Sequence, residues 1–553
     1  MSNNASTSTT PSSGRATPGL KRQIGVIGLL WASTGSIIGS GWLLGAQTAL
    51  NVAGPAAIIS WLIGGVVILV LALIHAELGG MYPVAGGTAR FPHFAFGGVA
   101  GASFGWFSWL QAVTVAPVEV EAMVTYSQHY SFAHGWLDPR THVLTPMGIL
   151  VAVLIMAFVT AINFLGVRAL ANTNSAATWW KVGIPLLTIF VLALFNFHGS
   201  NFTAANGFAP EGVKSILAGV STGGIVFALL GFEQADQLAG ESKNPKRDIP
   251  LAVIGSVVIG VVIYLALQIV FLGSLPANLI HGTWATAAYN TLTGPFAQIA
   301  TLVGFGWLAV ILYIDAIISP AGTGLIYVTA TSRVSYGLSR NGYFPHLFER
   351  IDKRGVPWFG LIIAFVVGCV CFLPFPSWQS LIGLITSASV LMYAGAPLAL
   401  GALRRRLPEA NRPYRVPGAA VLAPLSFIFA NFIILWTGWV TDWKLGVAVI
   451  LGVLLIFATQ IFHLNPIRPK FNWTSAQWVP VYLVGLGLIV FLSDFGPLTH
   501  PWFPLGWDMV AVAVFSLVIY YWALAVALPR EEILEVIEEV VVPEEEATGI
   551  KLS

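Results

Sequence analysis

The sequence predicts an all-α polytopic membrane protein of twelve to fourteen spans. Three observations predict it. The 553 residues are 56% hydrophobic and only 9% charged, where soluble domains carry roughly 25% charged residues. Apolar runs of spanning length recur along the chain. The basic residues between them fall on alternate loops, as when Lys and Arg are retained on one side of a bilayer.

A spanning helix needs about 20 mostly apolar residues. Fourteen runs meet that need, near 24–48, 55–81, 103–130, 146–166, 177–198, 215–239, 249–273, 302–332, 357–374, 379–403, 418–440, 443–463, 477–494 and 507–528. Placing the N-terminus in the cytoplasm and alternating sides puts all 26 basic residues inside except four. Arg140, Lys214 and Lys444 fall outside, and Lys181 lies within a span. Both termini are therefore expected in the cytoplasm of a cell bounded by this inner membrane. Residues 1–22, rich in Ser, Thr, Asn and Pro, read as a disordered tail. No short apolar segment with a cleavage site precedes the first span. Residues 529–553 read as an acidic tail with a partial helix, because Ile533, Ile537 and Val540 recur at helical spacing among the glutamates.

Several function classes are excluded. A net charge of +2 predicts no nucleic-acid partner. Cys369 and Cys371 lie in one apolar run and read as inert core thiols. No metal cluster is visible, and the glycine run "AGGTARFP" lacks the lysine of a phosphate-binding loop. No enzyme, cofactor or metal is expected.

Backbone groups in lipid must be satisfied within the helix, so irregular backbone survives only beside a cavity. Glycine clusters inside apolar runs are therefore informative. The first run contains Gly35-Ser36-Ile37-Ile38-Gly39-Ser40-Gly41. The sixth contains Gly223-Gly224, then Phe227-Ala228-Leu229-Leu230-Gly231-Phe232-Glu233. Each glycine weakens a helix by about 1 kcal/mol relative to Ala. The clusters open two consecutive five-helix halves, 23–200 and 201–404, and interrupted spans at matching places point to a transporter's binding site. A half-helix N-terminus offers N–H groups to a carboxylate. A half-helix C-terminus offers carbonyls to an ammonium. An α-amino acid poses that pair of demands. Close helix packing through small residues is the alternative reading.

The motifs resemble those of the amino acid–polyamine–organocation permeases. They are the Gly-Ser-Gly break at 39–41, "AGPAAIISWLIGG" at 53–65, "AELGGMYPVAGG" at 76–87, "FALLGFE" at 227–233, "ESKNPKRDIP" at 241–250, "SRVSYGLSRNGYFP" at 332–345 and "RPYRVPG" at 412–418. The opening "STGSIIGSGWLLG" is most similar to the bacterial aspartate/glutamate–proton symporter branch. The resemblance implies five-plus-five inverted repeats with broken helices 1 and 6. About four accessory helices over 405–528 follow, where the family usually has two. It implies that a substrate carboxylate meets the backbone around Gly39, Ser40 and Gly41. It also implies that an ammonium meets the carbonyls of Ile37, Phe227 and Leu230, that Phe227 lids the site, and that Gly231 marks the second break.

An ionisable group at mid-bilayer costs roughly 2.5–3.5 kcal/mol on insertion scales, so each one needs a reason. Lys181, after Trp179-Trp180, takes the place that holds sodium in sodium-coupled relatives, and the resemblance implies proton coupling; a snorkelling interfacial lysine is the alternative. Glu233 lies just past the second break, with gating implied and helix capping as the alternative. Glu119 and Glu121 follow Pro117; two apart on a helix, they diverge by about 200°, so at most one faces a central cavity. Asp315 reads either as a proton or side-chain contact or as a structural acid. Asp236 and Glu241 are expected to pair with Lys243 or Arg247, and Glu77 to pack or gate.

The partners expected are protons, the lipid bilayer and a small amino acid or amine. No arginine lies clearly within the first ten helices to meet a second carboxylate, which argues against an acidic substrate, and Glu119, Glu121 and Asp315 would suit a cationic side chain; the substrate's charge is left open. Proton symport by alternating access is the leading expectation. Exchange of substrate for product is the rival, and a transport-inactive sensor is the remote one.

Overall fold

The computed structural model describes residues 24–548 apart from 85–86, 165–166, 281 and 374. The tail read over 1–22 lies outside the described residues. Each of the fourteen apolar runs is helical, and no strand occurs among the described residues.

The first half comprises α1 (Val26–Ile37), α2 (Ser40–Ala53), α3 (Ala57–Met81), α4 (Gly87–Phe96), α5 (Gly98–Ser127), α6 (Pro146–Asn163) and α7 (Val167–Phe195). The second comprises α8 (Gly212–Ser221), α9 (Ile225–Ala228), α10 (Gln234–Gln237), α11 (Pro245–Ser274), α12 (Pro295–Leu302), α13 (Gly306–Arg340), α14 (Trp358–Cys371) and α15 (Trp378–Arg406). Then follow α16 (Ala419–Thr437), α17 (Trp439–Ile461), α18 (Trp473–Ala476), α19 (Trp478–Leu492), α20 (Trp507–Val526) and α21 (Arg530–Thr548).

The halves share one order: a broken span, a long helix, a short connecting helix, then three more spans. The short helices α4 and α12 were not anticipated; they are too short to span and fill matching connections. An odd number of spans inverts the second copy across the bilayer. Corresponding helices pack on each other, α3 on α11 and α5 on α13, as a two-fold relation between repeats requires.

Ten helical stretches among the described residues are long and apolar enough to cross a membrane, and Val26–Ile37, Gly212–Ala228 and Trp358–Cys371 are shorter apolar helices. Two of those three belong to the broken spans. One of the ten, Ser40–Met81, continues α2 through a tight turn at Gly54–Ala56 into α3. Gly54 takes φ +60° there, and a Cβ would come 3.1 Å from Trp284. The 30-residue α5 is buried along nearly its whole length by protein, so it tolerates Gln111, Glu119 and Glu121.

Loops expected on one side meet one another. On the face rich in Lys and Arg, Val99 N–H donates to Phe471 O at 2.9 Å and His346 N–H to Leu464 O at 2.9 Å. There Glu77 lies fully buried and accepts from Arg404 and from Val416 N–H, with Arg412 Nε at 3.3 Å. Glu77 thus joins α3 to α15 and the 412–416 turn. On the opposite face Leu144 N–H donates to Pro376 O at 2.8 Å, and Lys214 pairs with Asp494 at 2.9 Å.

Candidate substrate and coupling site

Both glycine-rich segments break their helices. α1 stops at Ile37 and α2 starts at Ser40. Between them Ile38 takes φ/ψ −87°/87° and Gly39 −121°/−137°. In the sixth run Gly224 is left-handed at φ +80° and Gly231 lies at φ +125°, leaving α9 and α10 as single turns. The two breaks touch. A Cβ on Gly231 would sit 2.8 Å from Ile37 N, and one on Gly41 would sit 2.9 Å from Ala228 Cα. Glycine at 41 and 231 is what lets the two backbones meet.

A small cavity of ≈ 10 Å³, about the room of one water molecule, lies between the breaks. Ser36, Ile37, Gly39 and Gly41 line it from the first span, and Phe227 and Leu230 from the sixth. Val115 and Glu119 close it from α5, and Thr323 and Tyr327 from α13. Phe227 stands edge-on to Trp378, ring centroids 5.7 Å apart.

The polar groups around the cavity are matched to the breaks. Ser40 N–H, at the start of α2, donates to Glu119 Oε2 at 2.8 Å. The Ser40 hydroxyl accepts from Trp378 Nε1 at 2.9 Å. Ile37 O accepts from Tyr264 OH at 2.8 Å, and Phe227 O from Leu230 N–H at 3.1 Å. Lys181 is 1% exposed, so it does not snorkel to water. Its Nζ donates at 2.8 Å both to Gly35 O, in the last turn of α1, and to Thr323 Oγ1 on α13.

Of the remaining acids, Glu233 lies at the second break. It accepts from Gly231 N–H at 2.9 Å, Tyr393 OH at 2.6 Å, Tyr327 OH at 3.0 Å and Gln111 Nε2 at 3.2 Å. Asp315 lies outside the cavity lining and accepts from Trp180 Nε1, Ser319 Oγ and Trp42 Nε1 at 2.7, 2.7 and 3.1 Å. Those bonds join α13 to α2 and α7. Glu121 also lies outside the lining; both its oxygens are buried without a hydrogen-bond partner. Only one of the Glu119/Glu121 pair therefore faces the cavity. Asp236 does not pair with Lys243 or Arg247 as expected: it is fully buried, and its carboxyl also lacks a partner. Glu241 lies 3.9 Å from Arg333 instead. The reason is the tight turn after Leu238, which carries Lys243 and Arg247 out to the exposed surface.

Tyr264, Trp378, Thr323, Gln111 and Tyr393 were missed from sequence. Their signal is a hydrogen-bonding side chain inside an apolar run, which is too common to select them singly. Among the described residues there is no group of His, Cys, Asp and Glu placed to hold a metal ion.

A membrane bundle whose two broken spans meet at a small cavity lined by their interrupted backbones has the architecture of a secondary carrier. The chain belongs to the amino acid permease family, whose model matches residues 24–455. It is similar to the glutamate/serine transporter AimA of Bacillus subtilis, 37% identical over 517 residues, covering 91% of this chain and 94% of the relative. It is 32% identical over 519 residues to the aspartate-proton symporter of the same organism, covering 93% and 98%. The branched-chain amino acid permease BcaP, also from that organism, is 24% identical over 80% of this chain. The chain is accordingly a multi-pass membrane transporter and not an enzyme.

Proposed function

We propose that this transporter takes up an amino acid by proton symport through alternating access across a bacterial inner membrane, with both termini in the cytoplasm. The orientation rests on the basic residues, which retention of Lys and Arg keeps on the cytoplasmic side. The substrate class rests on the named relatives, which include a glutamate/serine transporter and an aspartate-proton symporter.

One observation carries the coupling: the buried Lys181 bridges Gly35 O of the first broken span and Thr323 of α13. Desolvation penalises the charged form of an amine, so this bridge is sensitive to a proton. A charged Lys181 ties α1 to α13; a neutral one has fewer protons to donate and holds them less firmly. Loss of the proton thus frees the half-helix to move.

Glu119 supplies the link to substrate. Its carboxylate already sits on Ser40 N–H, the donor that a substrate carboxylate is expected to use. Two carboxylates cannot share that donor without mutual repulsion. A bound amino acid therefore displaces Glu119, which turns to the substrate ammonium or takes up a proton. Ile37, Gly39, Gly41, Phe227, Leu230 and Gly231 shape the space, with Phe227 as the lid. Glu233 joins the second break to α5, α13 and α15 and acts in gating. Asp315 and Glu121, away from the cavity, act on helix packing.

Reconstitution into proteoliposomes with radiolabelled L-glutamate, L-aspartate and L-serine tests the reading. An inward proton gradient should accumulate one or more of them without internal amino acid. Uptake that requires internal amino acid would make the protein an exchanger.

A further inference from the structure

Two buried acids stand one helical turn apart on the inner limb of the broken sixth span, and their surroundings are opposite. Glu233 receives four hydrogen bonds and Asp236 receives none. Donors alone surround Glu233, which suits a carboxylate. Asp236 is fully buried with both oxygens unpartnered, a place where an ion is costly.

The seat of Asp236 is built. Its carboxyl lies against Gly79 of α3, where a Cβ would collide with it. A Cβ on Gly87, the first residue of α4, would come 3.3 Å from the Asp236 carbonyl oxygen. The short α10 packs on α1, α3, α4 and α11.

Among the described residues no hydrogen bond reaches the Asp236 carboxyl. α1 has no titratable side chain. On α3, Glu77 is bound by Arg404 and Arg412, and His75 meets Leu71 O through Nδ1. On α4, His93 meets Tyr343 and Arg90 has contacts of its own. On α11, Lys246 and Arg247 are exposed, and Asp248 accepts from Asn244 N–H. Glu241, in the turn between α10 and α11, lies near Arg333. Glu233, three residues before Asp236, is the acid nearest to it in the sequence.

We propose that Asp236 is a proton-binding site on the cytoplasmic limb of the transport path, a site distinct from Lys181. Its carboxyl O–H is kept while α10 is packed on α3 and α4, and the proton passes to cytoplasmic water when that contact opens. Hydrogen-bonding groups lead from the cavity as far as Glu233, and the last step to Asp236 has no bond in this state. Tyr327 lines the cavity and donates to Glu233, which lies three residues before Asp236. Ionised Asp236 is disfavoured in its dry seat, so release of the proton favours the open inner side while substrate leaves, before the empty carrier resets without it. The assignment rests on the symport reading above.

The full chain in proteoliposomes tests it, with whichever of L-glutamate, L-aspartate and L-serine the unaltered protein accumulates. Asp236→Asn mimics the protonated acid and cannot release a proton. We expect it to lose gradient-driven accumulation and the dependence of transport rate on internal pH, while substrate counterflow persists and thermal stability stays near that of the unaltered chain. Asp236→Glu should recover the internal-pH dependence. An Asn variant with unaltered internal-pH dependence overturns the assignment. So does an Asn variant that is markedly destabilised, because the native group is then an ionised structural partner. If the unaltered protein itself shows no proton-driven accumulation, the symport reading fails and takes this assignment with it; the two failures are thus told apart by the unaltered protein alone.

Discussion

Lys181 makes two hydrogen bonds, and each reaches a different moving part: a carbonyl of α1 and a hydroxyl of α13. Lys181→Ala removes both and leaves every residue of the cavity lining in place. Proton-driven accumulation is expected to fall to background, while substrate binding, read by thermal shift, changes much less. Proton-driven uptake equal to that of the unaltered chain would remove the lysine from coupling. The sequence marks Lys181 because a cation inside a span is rare, and it marks Glu119, Glu121, Glu233 and Asp315 for the same reason. Their partners are invisible at that level, since they come from far along the chain. Trp42 meets Asp315 across 273 residues, and Tyr393 meets Glu233 across 160. The difference between a well-served Glu233 and an unserved Glu121 exists only after folding.

The helices were more legible than the acids. A period of lipid-length apolar runs is set by bilayer thickness and needs no tertiary information. The breaks were legible too, because glycine is costly in a helix and is retained there for a reason. That reason is partly packing: Gly41 admits the backbone of α9, as well as lining the cavity. Gly41→Leu is therefore expected to force α2 and α9 apart and abolish uptake, with lower thermal stability alongside. Retained stability with lost binding would limit its role to the cavity. The short α4 and α12 were not legible, since ten and eight residues of mixed polarity give no spanning signal. Nor was the Glu77 cluster, in which α3, α15 and the 412–416 turn share one buried acid. Removing one partner of a buried ion pair costs about 3–5 kcal/mol. Glu77→Ala should lower the unfolding temperature clearly, and an unchanged midpoint would show that the two arginines are satisfied without it.

At the scale of the whole molecule, the spans beyond residue 440 touch the transport core on both faces. Lys214, two residues into α8, pairs with Asp494 in the turn after α19. On the basic face Phe471 O holds Val99 N–H, Leu464 O holds His346 N–H, and Ala95 O holds Leu528 N–H. Asn465 adds bonds to Ser339 O at 2.7 Å and Phe344 O at 2.8 Å. Exposed pairs such as Lys214–Asp494 contribute only about 0–1 kcal/mol, so the stronger attachment is the backbone pairing on the basic face.

That pairing makes the 460–472 segment a brace rather than an appendage. It fastens the start of α5 and the end of α13, two helices that line the cavity together with the broken spans. With one set of helices braced and the other interrupted by glycine, the interrupted side is the one expected to move. A carrier built in this way is expected to open by swinging its fractured helices against a fixed frame, and shortening the 460–472 segment should then slow transport without altering the cavity lining.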